Sequence, residues 1–480
     1  MKKSSYSAIA LALGLAVLST AVRADLKDPL PDSLSLGGVT LYGTVDIGFA
    51  YQSTGVPISS TYVGGLEYQA FTTTRNFQGS QTTVAESGLE QSKVGVRVQE
   101  PVGGDVSLVA RIETGFNPLS GELTDACASI NANGGKAQGF QTANADSSRC
   151  GQTLNSVAYG GFSSTSAGAL TFGRHNSLQL DALSQYDPQA LSYAFSFLGY
   201  SGFNGGSGST EAARWDNAVK YAFQSGPVHL AVMYTSGGQD TGVIGHAYGG
   251  NLGFTANGWS VDAVYQNIHS AVNLRSSFDD PETNPINPVS TATDPFPTPG
   301  LAAYISDDTS YNLMAKYTME FGDTVKDKLT LYAGYSHIEK AHGNYYTGSS
   351  QGNYPISVGI NITNTAVYEM EWLGARYAQA SGWNYIGGLY HISQGNWTLG
   401  LGTNGPELLG CAQAGLLCSG DFYEASFVVD YVFNKHYDVY GGVNWSEVTD
   451  GLANGFAGTT VGTTGSQSQT TVMGGVRIKF

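Results

Sequence analysis

Between residues 39 and 52 the chain reads VTLYGTVDIGFAYQ, and its side chains alternate. Val39, Leu41, Val45, Ile47, Phe49 and Tyr51 fall on one face, and Thr40, Tyr42, Thr44 and Asp46 fall on the other. A period of two marks a strand whose faces meet different environments. The run also exceeds the roughly 9–11 residues that a tilted strand needs to cross a bilayer. The pattern returns in SKVGVRVQ (92–99), DVSLVARIETGF (105–116), SVAYGGF, ALTFGR, NAVKYAF, VHLAVMYTS, AYGGNLGFT, WSVDAVYQN, YNLMAKYTMEF, LTLYAGYSHI, YEMEWLGARYAQ, WNYIGGLYHIS, FYEASFVVDYVF, YDVYGGVNWSEV and QTTVMGGVRIKF, so sixteen strands are predicted.

The connections sort themselves by length. Short turns (PVGG, STSAG, QSGP, ANG, FGDTVKDK, ASG, NKH) alternate with long polar segments near 53–87, 117–152, 175–213, 237–245, 270–308, 339–365, 394–420 and 449–468. This order suits an even, up-and-down antiparallel barrel with both termini on the short-turn side. A soluble sandwich would alternate in polarity too, but would not sort its loops so strictly. The last strand ends on the apolar face at Phe480, after Val472, Val476 and Ile478, while Arg477 and Lys479 point the other way.

One long connection differs from the rest. Residues 173–214, GRHNSLQLDALSQYDPQALSYAFSFLGYSGFNGGSGSTEAAR, carry Leu178, Leu180, Leu183, Leu191, Phe195, Phe197 and Leu198 among few charges. A connection of this length is usually functional or disordered, and its apolar content predicts packing. We expect it to fold back into the barrel and narrow a pore.

Composition fits a membrane barrel. Only 12% of residues are charged, Gly numbers 64, Tyr 29 and Phe 20, and mean hydropathy is −0.12. A strand shows lipid with every second side chain, so average hydropathy stays unremarkable. The formal net charge is −16. Lys2 and Lys3 precede the apolar run AIALALGLAVL, and Val22 and Ala24 supply small residues before Asp25. This predicts a removable export signal over 1–24 and a mature barrel over 25–480. After the signal no run of about 18 apolar residues remains, so any membrane passage is by strands.

In an exported chain four cysteines suggest disulfides. Local pairing, Cys127 with Cys150 and Cys411 with Cys418, is the economical choice among three connectivities and would staple two external loops. A zinc site is disfavoured by the spacing.

VTLYGTVDIGFAY, ESGLEQSKVGVRVQEPVGGDVSLVARIETGFN, SVAYGGFSSTSAGALTFGR, LDALSQYDP, RWDNAVKY and the GGVRIKF terminus together resemble the general diffusion porins of Gram-negative outer membranes, particularly the trimeric betaproteobacterial type. The resemblance implies a homotrimer of 16-stranded antiparallel transmembrane β-barrels, each with its third external loop folded into the lumen. It also implies acids on that loop facing a basic wall. Asp181 and Asp187 match the acidic loop stretch, Lys93 and Arg97 the inward face of the second strand, and Arg214 the strand after the loop. Glu113 matches an inward acid, and Arg174 marks the loop's start. Ser156 stands where the family often carries Arg, which thins the basic wall and leads us to expect a cation preference.

Alternation supports the same placement. Lys93, Arg97, Arg111 and Glu113 alternate with Val94, Val96, Leu108 and Ile112. A lipid-facing Arg at mid-depth costs about 2–4 kcal/mol, so the charged set belongs in the lumen. Charges of opposite sign across a narrow opening favour small polar solutes and penalise apolar ones. The plainer reading is a set of lumenal ion pairs that stiffen the barrel.

Other features weigh less. His337 and His342 lack a third metal ligand nearby. Asp279, Asp280, Glu282 and Asp294 could bind calcium, but such a run is more often a solvated loop. Tyr51, Trp215, Trp259, Trp372 and Trp445 suit an interfacial girdle. Eight scattered His without a paired Ser or Asp motif argue against a barrel hydrolase. The sequence therefore predicts a passive outer-membrane channel for small hydrophilic solutes and ions, with no organic cofactor and no nucleic acid partner. Its surroundings would be outer-membrane lipid and lipopolysaccharide. A substrate-selective porin, or a non-conducting barrel whose loops bind a ligand, is the alternative.

Overall fold

A computed structural model describes residues 34–53, 80–125, 127–128, 149–200, 213–238, 245–276, 301–322, 325–344, 350–351, 354–396, 398–401, 407–410, 419–450 and 466–480. Among them, sixteen strands follow one another around a barrel: β1 (Val39–Gln52), β2 (Gln81–Glu86 and, after a break, Lys93–Gly103), β3 (Val106–Gly115), β4 (Val157–Ser164), β5 (Gly168–Asn176), β6 (Arg214–Ser225), β7 (Val228–Thr235) and β8 (Ala247–Ala256). They continue as β9 (Trp259–Ser276), β10 (Leu301–Phe321), β11 (Asp327–His342), β12 (Ala366–Ala378), β13 (Trp383–Gln394), β14 (Gly420–Asn434), β15 (Tyr437–Thr449) and β16 (Ser466–Lys479). Each pairs antiparallel with its neighbours, and β16 returns to β1 from Thr44↔Lys479 to Gln52↔Thr471. Closure satisfies the backbone of both edge strands, which lipid cannot do.

The predicted faces hold. Leu252, Leu313, Leu373, Leu389 and Phe427 are exposed on the outside, whereas Asp262, Gln266, Asn312, Glu424 and Asn444 are buried on the opposite face. Outward aromatic pairs mark the short-turn rim, Trp259 with Tyr317 at 4.6 Å and Trp383 with Tyr431 at 4.7 Å between ring centroids. Tyr265 and Tyr311 pair at 5.3 Å toward the other rim. Amphipathic rings settle at such boundaries.

Four expectations need correction. Trp215 and Trp372 are not girdle residues: both are buried, 0% and 2% exposed, and Trp372 donates its indole N–H inward to the Tyr186 carbonyl. The 53–87 connection is shorter than expected, because β2 already begins at Gln81. β9 runs to Ser276 and β10 starts at Leu301, which shortens the 270–308 connection. Strands also occupy parts of the 339–365 and 394–420 connections: Tyr354–Asn364 pairs with β10 and with Thr398–Leu401, which pairs in turn with Glu407–Gly410. These extensions reach past the alternating runs and pair with one another, so alternation against lipid did not reveal them. The export signal, Cys411, Cys418, Asp279, Asp280, Glu282 and Asp294 lie outside the described residues.

Candidate functional site

The connection after β5 folds because its sequence supplies a start, a stop and an apolar face. Ser177 caps helix α1 (Leu178–Tyr186) by accepting from the Leu180 N–H at 3.1 Å. Asp187 ends it in an extended conformation, as the residue before Pro188 must. A short helix, α2 (Phe197–Tyr200), follows. Leu183, Phe195, Phe197 and Leu198 are all 0% exposed, and burial of each stabilises the docked segment by about 1.5–3 kcal/mol.

Hydrogen bonds fix the segment to the polar face of the wall. The Gln179 amide group donates to Asn312 of β10 (2.9 Å) and accepts from Gln266 of β9 and Ser310 of β10. The Tyr186 hydroxyl meets Ser260 of β9 at 2.7 Å. Gln189 donates to Ser426 of β14, the Phe197 N–H donates to Glu424 of β14, and Asn444 of β15 donates to the Ala194 carbonyl. Ser192 and the Ala194 N–H both donate to the Gly88 carbonyl, inside the β2 break. That break is held by Asp46 of β1, whose carboxylate accepts from the N–H groups of Leu89 and Glu90 and from the Tyr440 hydroxyl. Gly374 of β12 is required for close approach, since a Cβ there would lie 2.3 Å from the Pro188 ring.

The two loop acids part company. Asp181 forms an ion pair with Lys220 of β6 at 2.5 Å and borders a cavity of about 450 Å³ shared with Lys220, His229, Asn251 and Asp262. Asp187 is 2% exposed and accepts from the Tyr390 hydroxyl at 2.6 Å and from the N–H groups of Gln189 and Leu191. Burial, against these donors, pushes its carboxyl above the usual range. It fastens the segment to β13 instead of facing open space.

Three of the predicted basic residues, Lys93, Arg97 and Arg111, lie on β2 and β3, and Arg174 and Arg214 lie on β5 and β6. Arg97 and Arg111 lie over the Tyr42 ring at 4.9 and 5.5 Å, Arg111 donates to the Tyr42 hydroxyl, and Glu113 accepts from both Arg111 (2.7 Å) and Tyr42 (3.0 Å). Gly95 leaves room for the ring, which a Cβ would meet at 2.5 Å. Lys93 pairs with Glu90 at 2.8 Å. Arg174 is buried, paired with Asp216 at 2.7 Å and donating to the Asn155 and Ser156 carbonyls. Arg214 is 7% exposed at the start of β6.

Sequence reasoning missed Arg149. Its guanidinium donates to the Ser156 hydroxyl at 3.0 Å, so Arg149 and Arg174 both surround the position at which the resemblance expected a cation. The adjacent Cys150, bonded to Cys127 as expected, was the one signal in the sequence. His337 is bracketed by Glu339 and Glu369, and His391 by Glu371 and Asp421. Among the described residues no group of His, Cys, Asp and Glu could hold a metal ion.

Solved structures share this architecture. An anion-selective porin from Comamonas acidovorans aligns with a TM-score of 0.53 at 16% identity, over 92% of this chain and 99% of that one. OmpT of Vibrio cholerae, an outer membrane protein folded in vitro, aligns at 0.49 and 13% identity over 94% and 100%. Salmonella typhi OmpF in complex with daunomycin aligns at 0.47 and 14% over 93% and 100%. At these identities the likeness is one of fold. No curated protein matches the sequence. A family model described as Gram-negative porin matches residues 7–451, nearly the whole chain, and the closed antiparallel barrel agrees with it: the chain belongs to the Gram-negative porins of the outer membrane.

Proposed function

We propose that this chain is a passive diffusion channel for small hydrophilic solutes and ions, whose lumen is narrowed by the connection after β5, described over residues 177–200, folded inward. The observation that carries the reading is the series of hydrogen bonds from residues 179–197 to the polar faces of β9, β10, β14 and β15. A segment bonded to the inner face of the wall on that side constricts whatever passes. The chemistry required is steric and electrostatic, with no covalent step.

A cation preference follows from the acidic chain and from Asp181 at the segment. A second reading, anion preference, is favoured by Arg97 and Arg111 on the β1–β3 face and by the burial of Asp187. A solute-specific channel remains the narrower alternative. Export through a removed 1–24 signal and assembly as a homotrimer complete the proposal. Contact with outer-membrane lipid, and with lipopolysaccharide in its outer leaflet, is supported by the exposed apolar residues Leu313, Leu373, Leu389 and Phe427 of β10, β12, β13 and β14.

The test is reversal potential in a planar bilayer under a KCl gradient, together with liposome swelling in sugars of graded size. Swelling with a size cut-off and a cation-signed potential support the reading. A potential of the opposite sign selects anion preference, and neither current nor swelling refutes a channel.

A further inference from the structure

The constriction segment is bonded to β9, β10, β12, β13, β14 and β15 and to the β2 break, and β6 holds its first helix through Lys220. On the β3–β4 side Arg149 links it to the wall. Arg149 donates through one guanidinium nitrogen to the Tyr193 hydroxyl at 3.2 Å and through another to Ser156, next to β4, at 3.0 Å. Tyr193 lies between the two residues, Ser192 and Ala194, that hold the Gly88 carbonyl. Arg149 itself precedes Cys150, and both bonded cysteines are 0% exposed.

The base of this loop is rigid. Asn155 accepts from the Gly115 N–H and donates to the carbonyls of Gly115 and Thr124, while the Thr124 N–H returns to Gly115. The disulfide then ties Cys127, three residues beyond Thr124, to the residue following Arg149. A planar guanidinium with fixed donors, 3% exposed and carried on a cross-linked base, is a strut.

We propose that Arg149 is a positioning residue for the constriction: held by the Cys127–Cys150 disulfide, it braces Tyr193 and closes the segment's ring of attachments on the β4 side. The disulfide thereby acts on the width of the channel and not on loop stability alone. The inference rests on the diffusion-channel reading for its effect on flow, but the brace itself can be read without current.

The experiment compares the full protein with Arg149→Met, Tyr193→Phe, Arg149→Lys and the paired change Cys127→Ala with Cys150→Ala, which removes the buried disulfide without a reductant having to reach it. Two readouts are taken on barrels that retain heat-modifiable gel mobility: single-channel conductance, and the rate of chymotryptic cutting at Tyr186, Tyr193, Phe195 or Phe197, mapped by mass spectrometry. Loss of a hydrogen bond to a charged group shifts a local opening equilibrium by about 10- to 100-fold. Cutting within the segment should therefore rise by about that factor in Arg149→Met. It should rise in Tyr193→Phe, which removes only the hydroxyl, and fall back only in part in Arg149→Lys, which keeps the charge but not the two fixed donors. The paired cysteine change should reproduce Arg149→Met and add little when combined with it, because both act through the Arg149 bond to Tyr193. Conductance should rise with cutting. Equal cutting in wild type, Arg149→Met and the paired cysteine variant overturns the brace. Increased cutting with unchanged conductance overturns its role in the channel, and a wild type that never conducts refutes the channel reading while the cutting still judges the brace.

Discussion

Replacing Phe197 with Ala tests the proposed constriction separately from the barrel that carries it. Phe197 is 0% exposed, and its ring packs 5.4 Å from Phe422 of β14 and 6.1 Å from Tyr390 of β13, centroid to centroid. Truncating such a buried ring costs about 3–5 kcal/mol. The sixteen-strand ladder does not pass through this residue, so the loss falls on the docked state of the segment. Its docked-to-undocked ratio then drops by about 10²- to 4 × 10³-fold. The bond from the Phe197 N–H to Glu424 is a backbone contact and survives in principle, leaving the segment loosely held and not absent. The assay is single-channel recording with liposome swelling, run beside a heat-modifiability gel that reports the barrel. The variant should keep its folded mobility, show greater open-channel noise and admit larger sugars. A folded variant with wild-type conductance, noise and size cut-off would refute the reasoning, because flow would then be limited elsewhere.

Other outcomes follow from single contacts. Arg97→Gln should move the reversal potential toward cations in dilute KCl and lose most of that effect near 1 M, where the screening length is about 3 Å; no shift at either salt would mean that Arg97 is remote from the path. Gly374→Ala sets a Cβ against both the Pro188 ring and the Gly387 carbonyl of β13, and overpacking of about 1–3 kcal/mol should speed chymotryptic cutting of the segment about 5- to 100-fold and also lower the temperature at which the barrel loses its folded gel mobility. Asp187 binds its proton more tightly when folded than when unfolded, so segment stability is greatest below the ordinary carboxyl pKa of about 3.9 and falls as pH rises through the higher folded value. Protection from an acid-active protease at low pH should thus exceed protection at neutral pH, and Asp187→Asn should flatten that difference; a wild-type profile rising with pH would reverse the assignment.

The alternation of side chains determined a great deal by itself. In a strand successive Cβ atoms point to opposite faces by covalent geometry alone, so VTLYGTVDIGFAY and SKVGVRV already say which residues meet lipid and which meet water. Loop order did the same for topology, because an up-and-down barrel has no other way to connect its strands. Both readings are local, and both stand in the closed ladder from β1 to β16. The site was only partly legible. Asp181 and Asp187 are six residues apart and alike in sequence, yet one borders a cavity with Lys220 and the other lies under the segment against Tyr390. Trp215 and Trp372 looked like girdle residues and turned inward. Arg149 carried no signal beyond the adjacent Cys150, yet reaches both Ser156 and Tyr193. These outcomes depend on which groups a folded segment brings within about 3 Å of one another across long stretches of chain. That choice is made by packing, and only the tertiary structure decides it.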